Sequence, residues 1–210
     1  MANEAVTVLP YGERALLIEV TPPYPVSGAY AAVLGARDAG RLPGVLEVVP
    51  AARTVLVTFG DVAATRAGRP VLGQLVPSAP AADAGPEVVI AVHYDGEDLT
   101  AVARLTGLDP AEVIRRHTSS SWRVHFVGFA PGFAYLSGGD PALVVPRRDS
   151  PRAAVPAGAV GLAGEFSAVY PRPSPGGWQL IGRTEESMWD LRRDPPALLA
   201  PGMRVRFEAR

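Results

Sequence analysis

The sequence predicts an α+β protein in two parts, a small α/β domain at residues 1–76 and a β-rich domain at residues 87–210, and three observations carry that reading. Residues 77–86 hold three prolines and no large apolar side chain, as an interdomain linker does. Before them, strand-like alternation and helical spacing take turns. From Trp122 onward the pattern changes to short apolar stretches separated by Pro/Gly turns, the signature of an irregular barrel or sandwich. A chain of 210 residues is long enough for two modest domains, each with a core.

In the first domain Ala15–Val20 reads as a strand, and Tyr30, Val33 and Leu34 recur at helical spacing in a segment that stops near Gly40. Residues 45–49 and Thr54–Phe59 flank Pro50-Ala-Ala-Arg53 and predict a β-hairpin. Residues 62–75 read as a second helix, with Gly68, Pro70 and Gly73 weighing against its second half. After the linker, residues 87–93 form a strand and 98–105 a short helix stopped by Gly107. Asp109-Pro-Ala-Glu112 then opens a helix with an Asp cap, Pro at the first helical position and Glu three residues on, running to about His117. The β-rich remainder places short strands at 124–129, 143–145, 160–162, 169–170, 178–181 and 204–207.

Composition excludes several chemistries. There is no cysteine, and all 20 basic residues are arginine, which removes thiol nucleophiles, thiolate zinc sites, Schiff-base lysines and the P-loop lysine. The net charge of −1 gives no field for nucleic acid or an anionic membrane. No apolar run reaches the roughly 18 residues of a membrane span, and residues 1–20 show no leader, so a cytoplasmic location is expected. His93 and His125 lack partners at ligand spacing, so no metal site is expected.

His117 shares a helix face with Val113 and Ile114, so it is expected half-buried at a pocket edge, with a pKa near neutrality. It reads either as an acid/base or as a helix C-terminal residue stabilised by the dipole. Gly128-Phe-Ala-Pro-Gly-Phe-Ala-Tyr-Leu136 packs three aromatics, two glycines and a proline into nine residues, and is expected to be a loop whose rings bury themselves or wall a pocket. Ser174-Pro-Gly-Gly-Trp178 reads as a glycine turn whose backbone N–H groups could converge on an anion. Residues 147–183 hold five arginines (Arg147, Arg148, Arg152, Arg172, Arg183) against Asp149 and Glu165, the one anion-attracting region. An Arg fork suits a carboxylate or phosphate.

Together, Phe126-Val-Gly-Phe-Ala-Pro-Gly-Phe-Ala-Tyr-Leu136, Pro146-Arg147, Val155-Pro-Ala-Gly-Ala-Val-Gly-Leu-Ala-Gly164 and Ser174-Pro-Gly-Gly-Trp-Gln-Leu-Ile-Gly-Arg-Thr184 resemble the family of 5-oxoprolinase B subunits (PxpB). That family includes the sporulation kinase inhibitor KipI and is also labelled allophanate hydrolase subunit 1. The resemblance implies an N-terminal α/β domain and a cyclophilin-like β-barrel. It also implies a protein that is inactive alone and works in a complex of three. Its partners there would be a homologous barrel protein, the C subunit, and a third protein, the A subunit. The complex would cleave 5-oxo-L-proline to L-glutamate, with ATP bound largely by those partners. The family's helix ending in His-Thr is retained as His117-Thr118, which favours a functional role for His117, expected as the catalytic acid/base, while the arginine-rich region and glycine turn make Arg147, Arg152, Arg183, Thr184, Gly176 and Gly177 the expected substrate or anion site. The pocket the resemblance implies is walled by Phe129, Pro131, Gly132, Phe133 and Tyr135 with Pro156, Gly158 and Trp178. The kinase-inhibitor function and a place in a urea or allophanate pathway are the alternatives. One departure stands out: where the family commonly has Gly-Gly-Gln-Thr, this chain reads Gly164-Glu-Phe-Ser167, expected to alter polarity beside the pocket.

Overall fold

In the computed structural model, which describes residues 5–22, 24–77 and 86–210, the polypeptide divides into two compact units, Met1–Ala84 and Gly85–Arg210. Residues 78–85 of the expected linker lie outside the described residues.

The first unit is an antiparallel sheet of β1 (Val6–Pro10), β2 (Ala15–Val20), β3 (Val45–Pro50) and β4 (Thr54–Phe59), in the order β1-β2-β4-β3. Alternation in β4 sends Val55, Val57 and Phe59 into the core. Helix α1 (Val26–Asp38) answers with Val26, Ala29, Val33 and Ala36, a stripe at three- and four-residue spacing. Helix α2 (Val62–Gly73) starts where the Asp61 side chain accepts the Ala64 N–H at 2.8 Å. The second half of α2 is helical despite its breakers. Gly68 is there because a Cβ would lie 2.6 Å from the Phe59 ring, and Leu72, wholly buried, anchors the turn after Pro70.

The second unit begins with β5 (Glu87–Val92), α3 (Leu99–Thr106) and α4 (Pro110–Ser119). Gly107 ends α3 in the left-handed conformation at φ 70°, and the Asp109 carboxylate caps α4 on the Glu112 N–H, as the sequence signals require. Then follow β6 (Trp122–Val127), β7 (Ala134–Ser137), β8 (Arg152–Val155), β9 (Ala159–Ala163), β10 (Phe166–Val169), β11 (Ser174–Gly176), β12 (Gln179–Arg183) and β13 (Arg204–Ala209). Seven of the strands of this unit form one sheet, β12-β9-β10-β7-β6-β13-β5, with β13 and β5 parallel. Its two edges meet where His93 and Arg183 exchange backbone hydrogen bonds of 2.8 and 2.9 Å, so the sheet is a nearly closed barrel. α3 packs on β12 and α4 on β13.

Four details correct the sequence reading. Residues 128–136 are not loop throughout: the loop ends at Phe133 and β7 takes Ala134 onward. Ser174–Gly176 is a strand paired with β8, not a free glycine turn, because Pro175 and Gly176 fit a short two-stranded ribbon. Residues 141–143 form a single 3₁₀ turn, and Val145 makes only an isolated bridge to Gly164. β1 carries no sequence signal, being largely exposed and ending at Pro10.

Candidate functional site

The loop between β6 and β7 builds one side of a cleft. Gly128 N–H donates to Phe133 O and Phe133 N–H to Ala130 O, a tight return that holds Phe129 at φ 68°. A left-handed phenylalanine costs about 1–3 kcal/mol, so the surrounding turn imposes it. Gly132, at φ 82°, is required because a Cβ would meet Trp189 Cβ at 2.9 Å. Phe133 is buried at the centre of the floor, edge-on to Phe129 (5.1 Å), Tyr170 (5.2 Å), Trp178 (5.6 Å) and Tyr135 (5.0 Å). These five rings, with Gly176 and Gly177 opposite, enclose about 240 Å³, and Arg147 stands in the wall. Gly176 lets the strand approach Tyr170, since a Cβ would lie 2.3 Å from the phenol oxygen.

Arg147 is exposed and makes no hydrogen bond or ion pair among the described residues. Burial pushes the Tyr135 and Tyr170 phenols up, while the Arg147 charge works the other way on both. Aromatic walls can hold an apolar ring, and an unpaired guanidinium can take an anion.

Arg152 and Arg183 do not join it. Neither lines the cleft: Arg152 donates to Asp98 (2.9 Å) and Glu97 (3.1 Å), and the exposed Arg183 pairs through Nε with Asp95 (2.9 Å). Asp98 is the residue that sequence reasoning missed. It stands at the cap position of α3, but its side chain does not cap. Instead Oδ1 accepts from Arg148 (2.7 Å) and Arg152, and Oδ2 accepts the Leu180 N–H (2.7 Å). Burial pushes its carboxyl up, but the hydrogen bonds from Arg152 and Leu180 and the two guanidinium charges outweigh that and hold it below its ordinary value. The only sequence signal was an Asp before a helix, which says nothing of partners so far along the chain.

The expectation for His117 is also corrected. It is wholly buried, with Nδ1 2.7 Å from the Tyr94 hydroxyl and Nε2 2.9 Å from Ser167 Oγ. Its ring lies 4.4 Å from that of Phe207, and its carbonyl accepts the Trp122 indole N–H at 2.9 Å. Desolvation brings its pKa down to about 3, far from neutrality. A neutral ring accepts at one nitrogen and donates at the other, and two hydroxyls satisfy either tautomer. His117 is therefore a tie within the core rather than a group at a pocket edge.

The remaining expected site residues are scattered. Pro131 and Gly132 line a separate apolar groove of about 520 Å³ with Phe129, Trp189 and Leu199. Gly158, at φ 79°, forms the turn between β8 and β9, bonded to Tyr170 and Thr184, and Pro156 is exposed beside it. Thr184 is buried and its hydroxyl accepts the Glu186 N–H. Glu165 and Phe166 line a third cavity with Trp122 and Asp140, so the 164–167 departure does not face the aromatic cleft.

Known proteins agree with this architecture. Residues 6–199 match the family described as the carboxyltransferase domain, subdomain C and D. The B subunit of 5-oxoprolinase from Escherichia coli O157:H7 is 37% identical over 201 residues, covering 93% of this chain and 92% of that protein. This chain belongs to the family of 5-oxoprolinase B subunits. A second member, from Bacillus subtilis (strain 168), is 46% identical over 123 residues, 57% of this chain but 51% of its own length. The crystal structure of TTHA0988 superposes with a TM-score of 0.79 at 35% identity, covering 94% of this chain. This chain spans 40% of TTHA0988 and about half of the Bacillus subtilis relative, whereas it spans nearly all of the Escherichia coli one.

Proposed function

We propose that this chain is the B subunit of a multi-subunit, ATP-dependent 5-oxoprolinase, which opens 5-oxo-L-proline to L-glutamate together with a homologous barrel protein (the C subunit) and a third protein (the A subunit). The observation that carries the reading is the end-to-end similarity to the Escherichia coli relative, 93% of one chain on 92% of the other. The site is consistent with it. The lactam ring would lie among Phe129, Phe133, Tyr135, Tyr170 and Trp178, and its carboxylate would take the free fork of Arg147. An unstrained lactam resists hydrolysis, and phosphorylation of its oxygen makes the ring carbon open to water. This chain has no lysine and no phosphate-loop motif to manage that transfer, so ATP belongs largely to the partner subunits. With His117 enclosed and neutral, the proton for the departing nitrogen comes from another group.

The test is co-expression with candidate partner proteins of both kinds and assay of 5-oxoproline-dependent ATP turnover. Activity of the assembled complex, with none from the chain alone, is the expected result. An assembled complex that neither hydrolyses ATP nor releases glutamate in the presence of 5-oxoproline would overturn the reading.

A further inference from the structure

Arg147 belongs to two cavities. On one side it walls the aromatic cleft; on the other it lines an open groove of about 530 Å³ between α3 and the segment that leads into β8. The groove presents Arg104, Arg147 and Arg148 against one carboxylate, Asp149. Arg148 is already neutralised by Asp98 at 2.7 Å. Arg104 has only a long 3.4 Å bond to its own helix at Thr100 O, and Arg147 has none among the described residues. Two unspent guanidinium groups therefore line one concave surface, with Ser150 beside them. With Arg148 paired to Asp98, Arg104 and Arg147 still outnumber Asp149, the one carboxylate of the groove, and a bound anion would offset that excess of positive charge.

We propose that this groove is a phosphate subsite, separate from the aromatic cleft and joined to it by Arg147. The groove and the cleft differ in character. The cleft is narrow and walled by rings, suited to a flat molecule; the groove is wider, open and lined by arginine, suited to a hydrated polyanion that makes several charge-assisted hydrogen bonds. Arg147 can present one edge of its fork to each side, so a carboxylate in the cleft and a phosphate in the groove are held by the same side chain. The subsite rests on the reading of the cleft only for this sharing, since phosphate binding by the chain is measured without turnover. The phosphate could be free or the terminal group of a nucleotide, and the two sources share this chemistry.

The experiment is calorimetric titration of the full chain with inorganic phosphate, ADP and ATP at fixed ionic strength set by chloride, alongside 5-oxoproline. Inorganic phosphate is expected to bind, Arg104→Ala to weaken it about tenfold or more with 5-oxoproline affinity unchanged, and Arg147→Ala to weaken both ligands. ADP and ATP binding more tightly than phosphate, with the same sensitivity to Arg104→Ala, assigns the subsite to a nucleotide; equal affinities assign it to free phosphate. Phosphate binding that is absent, or untouched by both substitutions, overturns the subsite. Loss of 5-oxoproline binding in wild type with phosphate binding intact counts against the cleft reading alone.

Discussion

His117 gives a pH dependence that can be worked from the structure. Its pKa is about 3 in the folded unit, because burial excludes the charged ring, and about 6.5 in an unfolded chain. Below pH 6.5 the unfolded chain takes up a proton that the native state refuses, so unfolding is favoured as the pH falls. The stabilisation is whole above pH 6.5 and is lost progressively down to about pH 3. Linkage gives a loss of about 2 kcal/mol between pH 7 and pH 5, and about 3 kcal/mol between pH 7 and pH 4. Asp98, whose pKa is lowered, works in a different window: its contribution is present above the ordinary carboxylate pKa and fades only below it. Between pH 5 and 6.5 the slope attributable to His117 is therefore separable.

The comparison is between wild type and His117→Gln, which cannot titrate and keeps one hydrogen bond to the pair of hydroxyls. Urea unfolding followed by tryptophan fluorescence reports on the second unit alone, because Trp122, Trp178 and Trp189 all lie in it. The variant is expected to be less stable at pH 7 by about 1–3 kcal/mol, and that gap to shrink by about 2 kcal/mol at pH 5. In wild type the His117 ring proton resonances should not titrate above pH 5. A gap that stays constant from pH 7 to 5, or a ring that titrates near pH 6.5, would refute the reasoning.

Other substitutions address the site and the scaffold. In the assembled enzyme, Arg147→Ala should lower kcat/KM for 5-oxoproline about 100-fold, and Arg147→Lys should restore little of it, because an ammonium lacks the planar fork. Asp98→Ala leaves the partly buried Arg152 without its main partner and should destabilise the second unit by about 3–5 kcal/mol in urea, with the loss smaller in Asp98→Asn. Gly68→Ala drives a methyl into Phe59 and should cost the first unit about 1–3 kcal/mol, read by circular dichroism since that unit has no tryptophan. A Gly68→Ala chain as stable as wild type would mean that α2 can withdraw freely from the sheet.

What the sequence displayed and what it hid have physical causes. Local signals were legible: Asp109-Pro110 with Glu112 opened α4 and Gly107 closed α3, because caps and left-handed stops act within four residues. That the rings of residues 128–136 must find cover was legible, and the fold gathers Phe129, Phe133 and Tyr135 with Trp178 around one cavity. Sorting the arginines was not. Arg147, Arg152 and Arg183 look alike in the sequence, and only the fold shows that Asp98 and Asp95 pair with two of them outside the cleft and leave Arg147 unpaired in its wall. For His117 the helical spacing placed it correctly on the inward face. The depth of burial could not be read, since it is Phe207 of β13 and Trp122 of β6 that enclose the ring.

The departure at residues 164–167 shows how the cleft is kept apart from change behind it. Ser167 supplies the hydroxyl that meets His117 Nε2, so a hydroxyl at that position completes the buried tie whether it is carried by serine or by the threonine of the usual motif. Phe166 stands edge-on behind Tyr135, 5.8 Å away at 86°, and against Phe126 at 5.8 Å. It therefore braces a cleft residue from the far side without entering the cleft. A change of polarity at 165 or 166 alters the neighbouring cavity with Trp122 and Asp140, while Phe166 touches the cleft through the ring of Tyr135. If the cleft binds the lactam as proposed, selectivity would reside in Arg147 and the five rings, and a substitution at Phe166 would reach them through its contact with Tyr135.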